Sequence, residues 1–205
     1  MKLQVIKTDK HPEFEMLPAV APTHYPFEAG SFKPYAHFRL AVQKGVGLFI
    51  KCTAYEQYET IAKPYTRPKN LADTCTLSFA LANAATPNRY VLCTFDIYGR
   101  MQVQLCQDNQ PLQDITKAFA DLFTPVFDRG FSEVGFYWED TMLFPFELTQ
   151  QYLGADDTDQ MLANCYIYSK NPAYAHLGSV GELTDLTNNT PYRTDGLLPL
   201  HTIAL

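Results

Sequence analysis

Asp73 to Cys106, DTCTLSFALANAATPNRYVLCTFDIYGRMQVQLC, is the stretch of sequence that decides the fold. Apolar residues occupy every second position in three runs, and the positions between them are mostly small or polar. Successive side chains of a strand point to opposite faces of a sheet, so the alternation predicts three half-buried antiparallel strands. Pairing Phe79 with Val91, and Ile97 with Met101, keeps the apolar side chains on one face. These apolar positions are Cys75, Leu77, Phe79, Leu81, Val91, Cys93, Phe95, Ile97, Met101, Val103 and Leu105.

The rest of the chain fits an all-β protein with one helix. Leu112, Ile115, Phe119 and Leu122 recur at helical spacing and predict an amphipathic helix near 112–123. We expect residues 1–205 to form a single domain, a two-sheet antiparallel β-sandwich of the immunoglobulin-like or jelly-roll-like kind. Further strands are predicted at Lys2–Ile6, Tyr35–Val42, Gly45–Tyr55, Glu133–Phe144 and Ala163–Ser169.

Composition excludes several classes of function. The net charge is −6, and the sequence has no stripe of Lys and Arg that could neutralise phosphates, so we expect no nucleic-acid partner. No apolar run is long enough for a membrane span or a signal segment, which predicts a cytoplasmic protein without a membrane partner. The five cysteines are odd in number and lack CxxC spacing, so we expect buried, reduced thiols.

Several motifs resemble the family-nine-like carbohydrate-binding modules, the sugar-binding sandwiches that accompany xylanases. The segment from Asn70 to Phe79, followed by Tyr90 to Asp96 and Gly99, is similar to that family's Asp-Ser-Cys-Val-Glu-Phe-Phe strand and the hairpin after it. The matches keep the family's order from about residue 35 onward. Two further segments resemble the family's Trp…Glu…Ile-Pro-Phe…Leu segment and its closing strand: Trp138 to Leu148, and Asn164 to Ser179.

The resemblance implies an antiparallel sandwich that binds carbohydrate in the service of carbohydrate catabolism. The chain departs from the family's pattern at the ligand site. Leu71 occupies the region where sugar-binding members place a stacking Trp, and Leu77 or a neighbour stands where the family often has Glu. Since Trp138 is the only Trp, this chain has no pair of indoles to clamp a sugar ring.

Sugar rings expose apolar C–H faces and a rim of hydroxyl groups, so a site for them needs aromatic side chains and planar hydrogen-bonding groups. The strand at 89–98 and the loop before it offer both kinds of group. We expect Asp96 and Arg100 to be exposed at the turn end of this strand, where Arg can grip paired hydroxyls. The alternative is that Tyr90 and Tyr98 lie beneath the proline-rich segments. The predicted ligand-binding residues are Tyr65, Arg67, Tyr90, Asp96, Tyr98, Arg100 and Trp138.

Metal binding and catalysis have weaker support in the sequence. Asp156, Asp157 and Asp159 form an acidic cluster that is either a solvated turn or a structural calcium site, as the modules of this family often hold calcium. No other cofactor is expected. Glu139 and Asp140 are adjacent, so in a strand they face opposite ways and cannot act together on one substrate.

These observations favour a non-catalytic carbohydrate-binding protein that recognises a small glycan or a sugar end. Two alternatives stay open: an enzyme of the glycoside hydrolase type, and a sandwich that has lost its sugar site and serves as an interaction or structural module. The sequence predicts neither the sugar nor the oligomeric state.

Overall fold

The computed structural model describes residues 2–27, 34–56, 69–171 and 175–204. These residues form mostly β-structure with two α-helices, α1 (Thr116–Leu122) and α2 (Phe146–Leu153). The strands in chain order are β1 (Leu3–Thr8), β2 (Tyr35–Gln43), β3 (Gly47–Glu56), β4 (Thr76–Asn83), β5 (Arg89–Asp96), β6 (Met101–Gln107), β7 (Gln110–Asp114), β8 (Val126–Ser132), β9 (Gly135–Pro145), β10 (Met161–Ser169), β11 (His176–Ser179) and β12 (Leu198–Ala204).

One continuous curled sheet runs in the order β7-β6-β5-β4-β10-β12-β1-β2-β3-β9-β8, and β11 pairs with β10. We call β1, β2, β3, β9 and β8 the first half of the sheet, and β4, β5, β6, β7, β10 and β11 the second half. β12 joins the halves, since it lies parallel to β1 and also pairs with β10 through Leu162↔Pro199 and Ala163↔Leu198. The prediction of an all-β fold is confirmed. The prediction of a sandwich of two separate sheets is not confirmed, because hydrogen bonds through β12 connect the halves.

The inner faces of the two halves pack against each other. Phe144 of the first half and Phe79 of the second lie with ring centroids 5.4 Å apart. Ile50 and Leu77 join them in one buried apolar cluster that draws side chains from both halves. Each large apolar side chain buried in this way contributes about 1.5–3 kcal/mol to folding. This packing decides which face of every strand is inward.

The Asp73–Cys106 stretch forms β4, β5 and β6, with the predicted apolar face turned inward. The predicted register is wrong by two residues. Phe79 lies opposite Cys93 rather than Val91, and Phe95 lies opposite Met101. The first turn occupies only residues 84–88, because backbone hydrogen bonds close it at Thr86 and again at Arg89. A shift of two residues keeps every side chain on its face, so the apolar face survives the error.

The predicted helix near 112–123 is shorter than expected. Residues 110–114 form the edge strand β7, where Pro111 is tolerated, and the helix begins at Thr116. The Asp114 carboxylate accepts a hydrogen bond (2.9 Å) from the backbone N–H of Thr116, the first residue of the helix. Ile115 and Phe119 pack in the core as the pattern predicts, while Leu112 on the strand and Leu122 at the end of the helix are exposed.

All five cysteines are buried thiols, as predicted. Burial raises the pKa of Cys106 to about 12 and raises those of Cys52 and Cys93 well above the usual value. These side chains are therefore neutral and act as small apolar groups.

Asp96 organises the turn between β5 and β6. Its Oδ1 accepts hydrogen bonds from the backbone N–H groups of Tyr98 (3.0 Å) and Arg100 (2.9 Å), and its Oδ2 accepts one from Arg100 Nε (2.6 Å). The Asp96 side chain is completely buried, contrary to the expectation that it is exposed. Gly99 has φ +69°, and a Cβ there would lie 2.8 Å from the Phe127 ring, so the turn requires glycine.

Asp140 is a second buried carboxyl group, on the inner face of β9. Neither of its oxygens has a hydrogen-bond partner within the described part of the chain. Burial, together with the negative charges of Asp96 and Glu139, raises the pKa of Asp140 to about 8. The folded protein therefore holds this carboxyl protonated at neutral pH, whereas the unfolded chain ionises it.

We expect Asp96→Ala to lower the free energy of unfolding by about 3 kcal/mol, because it leaves the Arg100 guanidinium without its buried carboxylate. Asp96→Asn keeps an oxygen for the backbone N–H groups and should cost less. Urea denaturation measures both. Asp121→Ala, which removes an exposed i,i+4 pair with Lys117, is the control and should cost less than about 0.5 kcal/mol. If Asp96→Ala costs no more than Asp121→Ala, Asp96 does not organise the turn.

The raised pKa of Asp140 predicts a second effect on stability. Between the unfolded pKa near 4 and the folded pKa near 8, the folded state binds the extra proton, so stability falls as pH rises through this window. Asp140→Asn removes the ionisation. The difference in unfolding free energy between this variant and the wild type should then grow by up to about 1.4 kcal/mol per pH unit between pH 5 and 7.

Taking a difference cancels the opposite contribution of His37. The pKa of His37 is lowered to about 4 by burial and by Arg39, so its contribution to stability is lost as pH falls from about 6.5 to about 4. Denaturation series at pH 5, 6, 7 and 8 measure the curve, with Asp121→Asn as the control. A difference curve that stays flat over this range would contradict the assignment.

Candidate functional site

The sequence-predicted ligand residues fall in different surroundings. Trp138 is completely buried in the core, and Tyr90 is completely buried under the segment 183–197, so neither ring is open to a ligand. Tyr65 and Arg67 lie outside the described residues. The structure brings Asp96, Tyr98 and Arg100 together at the β5–β6 turn.

At this turn only Tyr98 offers substantial surface. Its side chain is 38% exposed, and the Arg100 guanidinium carbon lies 5.8 Å from the centroid of its ring. Arg100 Nη1 also donates a hydrogen bond to the Lys69 carbonyl (3.2 Å). The predicted turn therefore borders a cavity that begins at Lys69.

That cavity is the candidate site, and we call it the Tyr168–Tyr192 cleft. It has a volume of about 400 Å³ and lies on the outer face of the second half of the sheet. Because Leu77, Phe79 and Phe95 point inward, the alternate residues of the same strands point outward and form its floor. The floor is Thr76, Thr94, Gln102 and Gln104, and the walls are Lys69, Asn70, Leu71, Ala72, Tyr168, Lys170, Pro191 and Tyr192.

Hydrogen bonds hold the floor of the cleft in place. Gln104 Oε1 accepts a hydrogen bond from the Tyr192 hydroxyl (2.5 Å), which ties the floor to the wall. The Thr94 and Ser78 hydroxyls lie 3.0 Å apart across β4 and β5. Gln102 is held only loosely, with its Nε2 3.5 Å from Asp114 Oδ2.

The walls supply two aromatic rings and two ammonium groups. Burial raises the pKa of Tyr168 and of Tyr192, so both hydroxyls are neutral, and the proton of Tyr192 is the one donated to Gln104. Lys170 Nζ lies 3.4 Å from Asp73 Oδ1, and Lys69, which precedes the turn that carries Asp73, also lines the cleft. Among the described residues that line the cleft, none is a carboxylate.

A buried arginine holds the wall that carries Tyr192. Arg193 is completely buried, and its Nε and Nη2 both donate to the Asp195 carboxylate at 2.6 Å. It also donates to the carbonyls of Asn188 and Asp185. Burial by itself would raise the pKa of Asp195, but these hydrogen bonds from Arg193 and two from backbone N–H groups hold it at about 2. Bidentate charged pairing thus fixes the internal fold of the segment 185–195, and the Tyr192 hydroxyl bonds that segment to Gln104 of the sheet.

A short 3-10 turn, Leu71–Asp73, forms the opposite rim. Thr74 Oγ1 donates to the Leu71 carbonyl (2.7 Å), and Asn70 Nδ2 donates to Asp73 Oδ2 (3.0 Å). This turn places Leu71 at the cleft, in the region where the resemblance implies a stacking Trp. The rings that line the cleft belong instead to Tyr192, which is half-buried, and to Tyr168, which is buried with 8% of its surface exposed.

Sequence reasoning missed Gln102, Gln104, Tyr168, Lys170 and Tyr192. A signal existed for the glutamines, because they alternate with the inward-facing Met101, Val103 and Leu105 and must point outward. Nothing in the sequence indicated that Tyr192, about 90 residues further on, would return to cover the same strand.

The three aspartates of the predicted calcium site do not come together. Within the described ranges, no group of three or more His, Cys, Asp or Glu side chains could hold a metal ion. Asp157 Oδ1 instead accepts a hydrogen bond from the Asp159 backbone N–H (3.1 Å), while Asp156 is exposed beside it. Calcium binding at these residues stays a prediction. No helix in the described part of the chain is long and apolar enough to cross a membrane.

Comparisons with known proteins bear on the fold. No protein-family model matches the chain, and no curated protein matches its sequence. Two solved structures superpose over nearly the whole chain. One is a Bacteroides uniformis protein provisionally described as carbohydrate-binding, with a TM-score of 0.72, 16% identity, and coverage of 98% of this chain and 99% of that chain.

The other is a family 9 carbohydrate-binding module from Caldicellulosiruptor kristjanssonii, solved in complex with glucose. The TM-score is 0.59 at 8% identity, with coverage of 99% of this chain and 97% of that chain. At 16% and 8% identity, the superpositions show a similar fold and no more. The chain has a fold like that of the family 9 carbohydrate-binding modules, as the motifs predict.

Proposed function

We propose that the protein binds carbohydrate in the Tyr168–Tyr192 cleft and catalyses no reaction on it. The observation that carries the proposal is the composition of the cleft: two tyrosine rings, two glutamine amides and two lysines around about 400 Å³. Aromatic rings contact the C–H faces of a sugar, and amides and ammonium groups bond its hydroxyls. The cavity is in the size range of small-molecule sites, which suits a small glycan or a sugar end.

The fold comparisons support the same proposal. The two superposed proteins are described as carbohydrate-binding, one of them provisionally, and one contains glucose. Glucose is therefore the first ligand to test. The involvement in carbohydrate catabolism that the resemblance implies stays a prediction.

Binding is favoured over hydrolysis. Glycosidases use a pair of carboxyl groups beside the scissile bond, one as acid and the other as base or nucleophile. The described lining of the cleft contains no carboxylate, and Glu139 and Asp140 face opposite sides of β9. The chemistry of the cleft supports recognition of hydroxyl groups without bond cleavage.

Calorimetric titration with glucose, xylose, cellobiose and xylobiose tests the proposal. We expect Gln102→Ala to weaken sugar binding about tenfold, because one hydrogen bond in the complex is lost, while thermal stability stays the same. Tyr192→Phe should weaken binding less, since it keeps the ring. Val134→Ala, an exposed position far from the cleft on the β8–β9 turn, is the control.

The same samples are assayed for release of reducing ends from cello- and xylo-oligosaccharides, where we expect no turnover. The proposal fails if no sugar in the series binds, or if Gln102→Ala binds all of them as tightly as the wild type. Turnover that survives purification to homogeneity would instead favour the hydrolase alternative.

A further inference from the structure

A second polar cavity lies on the outer face of the first half of the sheet, across the core from the cleft. It has a volume of about 260 Å³, and polar side chains predominate in its lining. Strands β2, β3 and β9 form its floor, and the segment around Glu15 forms one wall. The residues that matter here are Glu15, His37, Arg39, Tyr55, Tyr137 and Glu139.

Three tyrosines cross this face in direct register, and we call them the tyrosine ladder: Tyr35, Tyr55 and Tyr137. The ring centroids of Tyr35 and Tyr55 are 5.4 Å apart, and those of Tyr55 and Tyr137 are 6.5 Å apart. Tyr35 is 54% exposed, so the ladder opens to solvent at one end. Neighbouring rings are tilted by 42° and 49° to each other, so the three strands carry a stepped row of aromatic rings.

Glycine and aspartate on β8 set the position of the last ring. Gly130 lies opposite Tyr137, and a Cβ there would come within 3.1 Å of the Tyr137 hydroxyl. The carboxylate of Asp128 raises the pKa of Tyr137 through its charge and a hydrogen bond, so that hydroxyl stays protonated. The ring of Tyr137 therefore lies next to a strand position that carries no side chain.

A polar row runs beside the ladder: His37, Thr53 and Glu139, also in direct register. Arg39 Nη1 donates a hydrogen bond to His37 Nε2 (2.5 Å), and Arg39 Nε donates to the Leu17 carbonyl (3.2 Å). Burial, and then the charge of Arg39, lower the pKa of His37 to about 4, so the imidazole is neutral and keeps its proton on Nδ1. Hydrogen-bond donors and acceptors therefore both border the tyrosine rings.

Charge in this cavity is balanced by Lys51. Its Nζ lies 2.6 Å from Glu15 Oε1 and 2.9 Å from Glu139 Oε1. The hydrogen bond and charge of Lys51 lower the pKa of Glu15 despite partial burial, so this carboxylate is ionised at neutral pH. With Arg39 added, two cations face two anions, which suits a neutral ligand rich in hydroxyls.

We propose that the tyrosine ladder and its polar row form a second carbohydrate-binding surface, which takes a neutral oligosaccharide laid across β2, β3 and β9. Successive rings contact successive sugar units, while Glu139 and Arg39 bond their hydroxyls. The tyrosine ladder and the Tyr168–Tyr192 cleft lie on opposite outer faces and share no residue, so each can bind without the other.

The test uses cellohexaose, xylohexaose and mannohexaose with three purified proteins: wild type, the ladder variant Tyr55→Ala/Tyr137→Ala, and the cleft variant Gln102→Ala/Tyr192→Ala. NMR of the wild type first follows the ring resonances of Tyr35, Tyr55 and Tyr137 during titration. We expect at least one hexasaccharide to shift these resonances. In the ladder variant, the affinity for that hexasaccharide should be at least about tenfold weaker. The cleft variant should keep it.

Phe131→Ala is the matched control, since it removes an exposed aromatic ring from β8 on the face away from the ladder. Tyr55→Phe/Tyr137→Phe should keep binding because both rings remain. If the double alanine variant fails to fold, Glu139→Gln, which keeps the shape of the side chain, replaces it as the ladder variant in the comparison with the cleft variant.

Each result decides between the two sites. Hexasaccharide binding that the cleft variant loses and the ladder variant keeps would overturn the ladder proposal and leave the cleft in place. Binding that only the ladder variant loses supports the ladder and counts against the cleft. If no hexasaccharide shifts the three tyrosines in the wild type, the ladder proposal is wrong whatever the cleft binds.

Discussion

The packing of the two inner faces is the constraint on which the rest of the structure depends. Once Phe79 and Phe144 meet in the core, period-two alternation decides the direction of every other side chain in their strands. Residues directly opposite each other share a face, so the register extends this to the neighbouring strands. Gln102 and Gln104 of β6 therefore point outward on one side, and Tyr55 and Tyr137 on the other. Both polar cavities are thus consequences of one apolar contact layer, which also explains why they lie on opposite outer faces.

Local pattern was sufficient for the strands and the inward face, because alternation is a property of neighbouring residues. Local pattern could not predict the register of β4 with β5, because the register depends on how tightly residues 84–88 turn and several turn types suit their composition. The helix was overestimated for a similar reason: Leu112 fits the helical spacing, but pairing of residues 110–114 with β6 takes precedence over it. Tertiary hydrogen bonding decided both cases.

The site was harder to predict than the fold because each cavity joins residues that are distant in the sequence. The polar face of β5 was identified, yet Tyr90 is covered by a segment that begins more than 90 residues later, and only Thr94 remains open. Asp96 has the residue type of a ligand-binding group, but both of its carboxylate oxygens accept hydrogen bonds from Arg100 within the turn. Tyr35, Tyr55 and Tyr137 give no sign of adjacency in the sequence, because their register across three strands is a product of folding.

The position of β12 has a consequence for how the protein is made. This strand pairs in parallel with β1, at residues nearly 200 positions earlier, and it also joins the two halves of the sheet. Contacts of such sequence separation form late and slow folding, because a long loop must close first. Until residues 198–204 have been synthesised, β1 lacks its parallel partner β12, whereas β10 lacks only the two pairs at Leu162 and Ala163 because β11 covers Tyr166–Ser169. The edge of β1 is therefore the one that a nascent chain leaves open to edge-to-edge aggregation.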